Sequence, residues 1–329
     1  MDREFKAFVA SEKDGTFLQD VQTRNTRDLP AGEVLIRVHY SSLNYKDALS
    51  ATGNRGITRN YPHTPGIDAS GVVEESLAHQ FKPGDPVLVT GYDLGMDTSG
   101  GFGQYIRVPA AWVVPLPAGL SLKEAMIFGT AGFTAGLSVY HLSQFVTPDM
   151  GEVLVTGATG GVGSLAVAIL AKSGYSVAAL TGKPEKDEFL RYLGAARTVG
   201  RSELLKSDPK ALLKGQWAGA VDTVGGSILA NVLKSIQMQG AVTSCGHVSG
   251  AQLETTVFPF IIRGVSLLGI NSQSCPMEKR LMIWHRLSSE WKINQLAGIY
   301  IEIGLSDLGE AIRNILGGKI TGRILINQQ

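Results

Sequence analysis

The sequence predicts an α/β protein in two parts: a mostly-β segment over residues 1–125, then a doubly wound parallel sheet over 126–295. Three observations predict it. The first 124 residues hold short apolar runs punctuated by Gly and Pro, a pattern of strands and turns in barrel-like or sandwich style. Past about residue 125, helical stretches alternate with short apolar runs, which implies right-handed βαβ units. One junction among them reads VLVTGATGGVGS (153–164): an apolar strand, a Gly-rich loop, then apolar helix-like sequence.

The elements follow in chain order. GEVLIRVHYSS (32–42) carries Val34, Ile36 and Val38 in alternation, as in a half-buried strand. IDASGVVEES (67–76), GDPVLVTGY (84–92) and GFGQYIRVPAAWVVPLP (101–117) supply further strands. The second part reads as helix 133–143, strand 152–156, helix 162–173, strand 176–181, helix 186–193, a strand-like RTVG (197–200), strand 219–224, helix 227–237 and strand 240–245. Residues 276–292 read as an amphipathic helix. Residues 306–318 read as another, with Ser306 as N-cap and Gly317 near its C-terminus.

Composition narrows the function classes. The chain has 329 residues, 30 Lys+Arg against 29 Asp+Glu and a net charge of +1, so it carries no electrostatic footprint for nucleic acid or an anionic membrane. Two cysteines, Cys245 and Cys275, make neither a disulfide framework nor a four-thiolate zinc site. MDREFKAFVA lacks a signal-peptide apolar region, and no apolar run reaches the roughly 20 residues of a membrane span. These features predict a cytoplasmic, reduced protein.

The strand–Gly-loop–helix at 153–173 is a phosphate cradle. Glycine lets the backbone approach a pyrophosphate without a Cβ, and the free N–H groups of the first helical turn favour the anion. The next strand ends at Thr181-Gly182-Lys183, where an NAD-preferring site places an Asp or Glu for the ribose 2′-OH. Thr181 can instead bond a 2′-phosphate and Lys183 can neutralise it, with Arg201 as a second cation; these residues favour NADPH. Otherwise Lys183 and Arg201 are ordinary solvated charges. Glu185, Asp187 and Glu188 lie past the strand end and are discounted as ribose ligands.

The order of a β-rich domain and then a dinucleotide-binding domain resembles the medium-chain dehydrogenase/reductase superfamily. Its zinc alcohol dehydrogenases carry an early cysteine ligand, a Gly-His-Glu sequence and a four-cysteine lobe. Here Ile67-Asp68 stands where His-Glu would be, no cysteine precedes residue 245, and His63 with Asp68 does not complete a metal site. No metal is expected. Without that Lewis acid, the accessible chemistry is hydride addition to a conjugated acceptor, a quinone or an α,β-unsaturated carbonyl.

SSLNYKDAL (41–49), PGIDASG (65–71), GTAGFTAGLSV (129–139), VTGATGGVG (155–163), WAGAVDTVGG (217–226), TTVFPFIIRGVSLLGI (255–270) and ITGRILI (320–326) together resemble the YhdH/YhfP-type quinone oxidoreductases, which include NADPH-dependent acryloyl-CoA reductases. The resemblance implies a GroES-like catalytic domain over 1–125 completed by 296–329, a Rossmann domain over 126–295, no zinc, and NADPH. It implies reduction of an acryloyl-CoA-like enoyl thioester or a quinone, in a cleft between the domains. It also implies that Tyr45 sits at the nicotinamide and that Thr159, Gly160, Gly161, Val162 and Gly163 wrap the pyrophosphate. Thr181, Gly182, Lys183 and Arg201 would hold the 2′-phosphate, and Ile262 and Ser272 would line the cofactor. His247 and Asn271 depart from the family's usual residues near the expected nicotinamide pocket.

Several roles stay open between two readings. Tyr45 and Asn44 are the catalytic candidates, as donors to the substrate carbonyl or the nicotinamide; the segment is otherwise a turn with a Lys46–Asp47 ion pair. Thr130 bonds the carboxamide or caps a helix. Asp222 is a ligand or a loop anchor, Arg323 reaches the cofactor or a domain interface, and Cys245 is a thiol with no positioned histidine. Lys46, Arg55 and Arg59 are candidates for a CoA phosphate patch. The β-rich VSLLGI (265–270) is a candidate for two-fold pairing, so a homodimer is expected. The rival readings are a general quinone or enone reductase, an NADPH-binding sensor or structural protein without turnover, and a zinc dehydrogenase, against which the missing ligands stand.

Overall fold

A computed structural model describes residues 2–205 and 209–329. The chain forms two compact units: Met1–Thr130 with Gln273–Ser288 and Leu296–Gln329, and Ala131–Ser272 with Ser289–Gln295.

The first unit begins with β1 (Glu4–Lys13), β2 (Thr16–Asn25), β3 (Val34–Leu43), α1 (Tyr45–Ala51), β4 (Asp68–Ser76), β5 (Pro86–Thr90), β6 (Tyr105–Val108) and β7 (Val114–Pro115). Helix α2 (Leu122–Leu142) carries the chain into the second unit. There follow β8 (Val153–Val155), α3 (Gly161–Lys172), β9 (Val177–Thr181), α4 (Asp187–Tyr192), β10 (Arg197–Gly200), α5 (Arg201–Leu205), β11 (Trp217–Asp222), α6 (Gly226–Ser235), β12 (Ile236–Ser244), α7 (Phe258–Arg263) and β13 (Ser266–Gly269). Helix α8 (Met277–Ser288), β14 (Tyr300–Ile303), α9 (Leu308–Leu316) and β15 (Arg323–Asn327) return the chain to the first unit.

In the first unit β1 and β2 form a separate antiparallel hairpin. The other strands make one sheet in the order β14-β15-β3-β4-β5-β7, with β6 paired to β3. The alternation expected in β3 holds only in part: Val34, Ile36 and Val38 are buried beside Ala69, Val87 and Ile106 and Arg37 is exposed, but Leu35 is buried as well, so the start of the strand is covered on both faces. In the second unit six parallel strands run β10-β9-β8-β11-β12-β13. Numbered from β8 this is 3-2-1-4-5-6, the doubly wound order whose direction of growth reverses between β8 and β11. Leu154, Ala178, Leu180, Ala220 and Val242 make its core, which is why these strands read as continuous apolar runs rather than alternating ones.

Four element boundaries differ from expectation. The helix expected at 133–143 begins at Leu122 and is broken at Gly129, where φ is 50° and ψ −156°. The helix expected over 276–292 stops at Ser288, whose Oγ donates to the His285 carbonyl. The one expected over 227–237 ends at Ser235, because Ile236 already pairs with Trp217 in the sheet. Ser306 is not the N-cap of the last helix: Leu305–Asp307 form a 3₁₀ turn, and Asp307 Oδ2 accepts from Gly304 N before α9 begins at Leu308.

Candidate active site

Each unit contributes a polar constellation to the candidate site residues. The first is built on Asp68, at the start of β4 and fully buried. Its carboxylate accepts from Ser42 Oγ at 2.6 Å, Asn44 Nδ2 at 2.8 Å and Thr130 Oγ1 at 2.6 Å. The Thr130 backbone N–H also donates to it, 3.0 and 2.9 Å from Oδ1 and Oδ2. The break at Gly129 makes this possible. It restarts the helix at Thr130, and the acid caps the freed N–H against the positive end of the helix. A Cβ at Gly129 would lie 2.5 Å from Asp68 Oδ2 and 2.6 Å from Ser42 Oγ, so glycine is required there.

Arg323 closes the network from β15. It is 3% exposed, with Nη2 3.7 Å from the Asp68 carboxylate and 2.7 Å from Ser42 Oγ. Its other donors reach the Ile127 and Leu43 carbonyls and Asn44 Oδ1. Arg323 is thus the internal counter-charge of a buried acid, which replaces both roles weighed for it in the sequence. Asn44 is committed too: Nδ2 serves Ser42 O and Asp68, and Oδ1 accepts from Arg323. Its amide orders the network rather than offering a free donor. Thr130 gives its hydroxyl proton to Asp68, which leaves that oxygen as an acceptor.

Beside this network Tyr45 opens α1 and is 37% exposed. Asp47 secures the helix start, accepting from Asn44 N at 2.7 Å and Ile67 N at 2.8 Å. Burial, then the charge of Asp68, pushes its carboxyl up to about 7 against those two donors. The local Lys46–Asp47 pair is therefore not what holds this turn: Lys46 Nζ donates to Gln273 Oε1 at 2.6 Å. Arg55 pairs with Glu12 and Arg59 with Asp97, so these two arginines are neutralised locally and do not form a free cationic patch.

The second constellation lies at the carboxyl ends of the parallel strands. Gly157 has φ +59°, and a Cβ on Gly163 would sit 2.2 Å from the Gly157 carbonyl oxygen. The first turn of α3 therefore packs directly on the loop. Gly160 is its N-cap, with Gly161, Val162 and Gly163 in the first turn, whose N–H groups have no intrahelical acceptor. Thr159 Oγ1 lies 3.5 Å from Thr181 Oγ1 at the end of β9, and Lys183 N donates to that Thr181 hydroxyl at 3.0 Å. Gly200, paired with Thr181, places Arg201 on the same edge. A Cβ on Gly182 would be 3.4 Å from Arg201 Cδ, so the arginine stem lies over this glycine. Partial burial lowers the Lys183 ammonium from its usual value, more than Glu185 restores it.

The sequence reading missed Ser249, whose Oγ accepts from Arg201 Nη2 at 3.1 Å; glycines at 246 and 250 around it were the available signal. It also missed Ser42 and Gln273. Asp187, set aside as a ribose ligand, is spent on Thr198 at 2.6 Å and Arg191 at 2.7 Å. Asp222 is a loop anchor: fully buried, it accepts from Thr156, Ser244 and the Val224 and Gly225 N–H groups. Burial, then Asp222, pushes the Cys245 thiol up to about 12, so it is no nucleophile. Ile262 is half exposed on α7, Ser272 follows β13, and His247 and Asn271 are exposed beyond β12 and β13. Among the described residues, no three His, Cys, Asp or Glu side chains gather as a metal would need, and no helix is long and apolar enough to cross a membrane.

Two family models match: the alcohol dehydrogenase GroES-like domain over residues 30–118, and the zinc-binding dehydrogenase family over 161–286. The putative quinone oxidoreductase YhfP of Bacillus subtilis is 47% identical across 98% of both chains. The chain belongs to the medium-chain dehydrogenase/reductase superfamily. Within that superfamily it is also 44% identical to the acrylyl-CoA reductase AcuI of Ruegeria pomeroyi, across 98% of this chain and 99% of the relative. The YhdH oxidoreductase of Salmonella enterica, solved in complex with NADP, matches at TM-score 0.96 and 44% identity, over 98% of this chain and 100% of that one. YhfP, solved with NAD bound, also matches at TM-score 0.96, over 99% of each chain. The superfamily thus supplies both the GroES-like domain and the nucleotide-binding sheet seen here.

Proposed function

We propose that this medium-chain reductase is an NADPH-dependent oxidoreductase that transfers hydride to a conjugated acceptor, with acryloyl-CoA, reduced to propanoyl-CoA, as the leading substrate. The observation that carries the cofactor assignment is the edge formed by Thr181, Gly182, Lys183 and Arg201. It offers one hydroxyl and two cations and no carboxylate to a ribose phosphate, while the nearby Asp187 is occupied. The Gly157–Gly163 cradle fits a pyrophosphate: Gly163 lets the first turn of α3 close on the loop, and the N–H groups of that turn have no intrahelical acceptor.

A catalytic zinc does not fit the residues present. Asp68 is saturated by hydroxyl, amide and backbone donors and faces the Arg323 guanidinium, which opposes a second cation. The reaction is therefore read as zinc-independent. Bound NADPH supplies the hydride. The chain's own residues do the rest: Thr130 Oγ accepts from the carboxamide N–H, and Tyr45 donates from its hydroxyl toward the acceptor carbonyl or the nicotinamide. Asn44, Asp68 and Arg323 hold both in place. Ile262 and Ser272 are proposed to line the cofactor. Residues 1–125 with 296–329 are the core of the proposed catalytic domain, which the first unit extends to Thr130 and by Gln273–Ser288, and the rest of 126–295 is the proposed NADPH domain.

We further assign a cytoplasmic enzyme, in keeping with two cysteines that form no disulfide. It is a homodimer, supported by the edge strand β13 and the exposed Val257, Phe258 and Ile261 nearby in sequence. NADPH oxidation with acryloyl-CoA and, separately, with a small benzoquinone tests the substrate. A higher kcat/KM for acryloyl-CoA supports the thioester reading; preference for the quinone makes this a general quinone reductase. NADPH binding with neither acceptor turned over would overturn both.

A further inference from the structure

Among the basic residues of the segment 46–59, Lys46 has a different partner from the other two. Arg55 and Arg59 meet carboxylates at Glu12 and Asp97. Lys46, half-buried, meets the neutral side chain of Gln273. Its neighbour Asp47 has both carboxylate oxygens on backbone N–H groups. Lys46 can only donate, so the Gln273 oxygen must face it, and Gln273 Nε2 turns the other way to Met96 Sδ at 3.3 Å. The Gln273 backbone is fixed as well: its carbonyl accepts from Tyr92 N at 3.0 Å and from Nη2 of the buried Arg280 at 3.1 Å. The fold thus builds a rigid neutral cradle for one ammonium, directly after Tyr45 in α1. Desolvation lowers this ammonium from the usual lysine value, more than Asp47 restores it. A half-buried cation with a neutral partner is held ready for a negative charge that arrives later.

We propose that Lys46 is a catalytic residue: its ammonium donates to the acceptor's carbonyl oxygen and stabilises the negative charge that develops there. This rests on the hydride-transfer reading with Tyr45 at the acceptor. A hydride added to the β carbon of an enoyl thioester pushes the C=C electron pair onto the thioester oxygen. That oxygen's charge meets Lys46, and water returns the proton to the α carbon. In a quinone the same charge develops on a ring oxygen, so the role does not depend on CoA. Gln273 is the positioning residue.

The test measures kcat and KM for acryloyl-CoA and for benzoquinone in Lys46→Gln, Lys46→Arg and Gln273→Glu, with NADPH affinity as a fold control. The expected result is a kcat lower by about 10²-fold for both acceptors in Lys46→Gln. Lys46→Arg should recover most of it. Gln273→Glu should also lower kcat, because a fixed carboxylate would neutralise the cation while leaving the lysine in place. If Lys46→Gln fails to bind NADPH, Gln273→Glu carries the test. A raised KM for acryloyl-CoA alone, with quinone reduction untouched, would overturn the proposal in favour of a phosphate contact. Unchanged kcat in every variant would overturn it too. A wild-type protein that reduces neither acceptor would fail earlier, at the functional reading itself.

Discussion

Lys183→Ala should weaken NADPH binding and leave NADH binding nearly unchanged. The structure sets the size of the effect. The Lys183 ammonium is half-buried and partly desolvated, and its backbone N–H is pinned to Thr181 Oγ1. A charge-assisted bond from such a group to a phosphate is worth about 2 kcal/mol, about 30-fold in Kd. Arg201 is exposed and shares its guanidinium with Ser249, so Arg201→Ala should cost less, about 1.5 kcal/mol or about tenfold. Equilibrium titration of each variant with both nucleotides, followed by intrinsic fluorescence, reads the two affinities without any acceptor. Rising ionic strength should erode the NADPH preference, since both cations lie near solvent. Equal losses for NADPH and NADH would refute the reasoning, because NADH has no 2′-phosphate to lose. So would a wild-type protein that does not distinguish the two.

Three further outcomes follow from the geometry. Gly163→Ala should abolish nucleotide binding in a folded protein, since its Cβ would fall 2.2 Å from the Gly157 carbonyl oxygen; calorimetric titration checks it. Asp68→Asn should destabilise the first unit by about 3–5 kcal/mol, because it leaves Arg323 buried without its counter-charge; urea denaturation reads the loss, and a change under about 1 kcal/mol would contradict it. Asp47 has a folded value raised to about 7, so the native state holds its proton where the unfolded chain has released it. This contribution to stability is lost as pH rises from the unfolded carboxyl value to about 7. Wild type should therefore lose its advantage over Asp47→Asn between about pH 4 and about pH 7, measured by urea midpoints, whereas a gap that widens with pH would reverse the sign.

Much of the second unit was legible because its signals are local. The run Val153–Val155, the glycines after it and Thr181-Gly182-Lys183 each act within a few residues, and the alternation of helices with apolar runs implied a parallel sheet. Helix ends were less legible. Whether Ile236 continues a helix or starts a strand depends on Trp217, which is distant in sequence. Ser249 was missed for a related reason: the glycines around it mark a loop but do not say that Arg201 lies across from it.

By itself, the sequence determined a two-part α/β chain, a dinucleotide cradle without a ribose acid, and a β-rich segment, GroES-like by resemblance, in which Ile67-Asp68 stands in place of the usual His-Glu. Only the tertiary structure decided what that substitution means. Ser42, Asn44, Asp68, Thr130 and Arg323 come from four separate stretches and meet in a buried network. It likewise took Lys46 from the arginines beside it and set it on Gln273, 227 residues away. Local spacing encodes helices, strands and tight turns. Which polar group satisfies which is settled where burial removes water and each donor must find its acceptor within the protein.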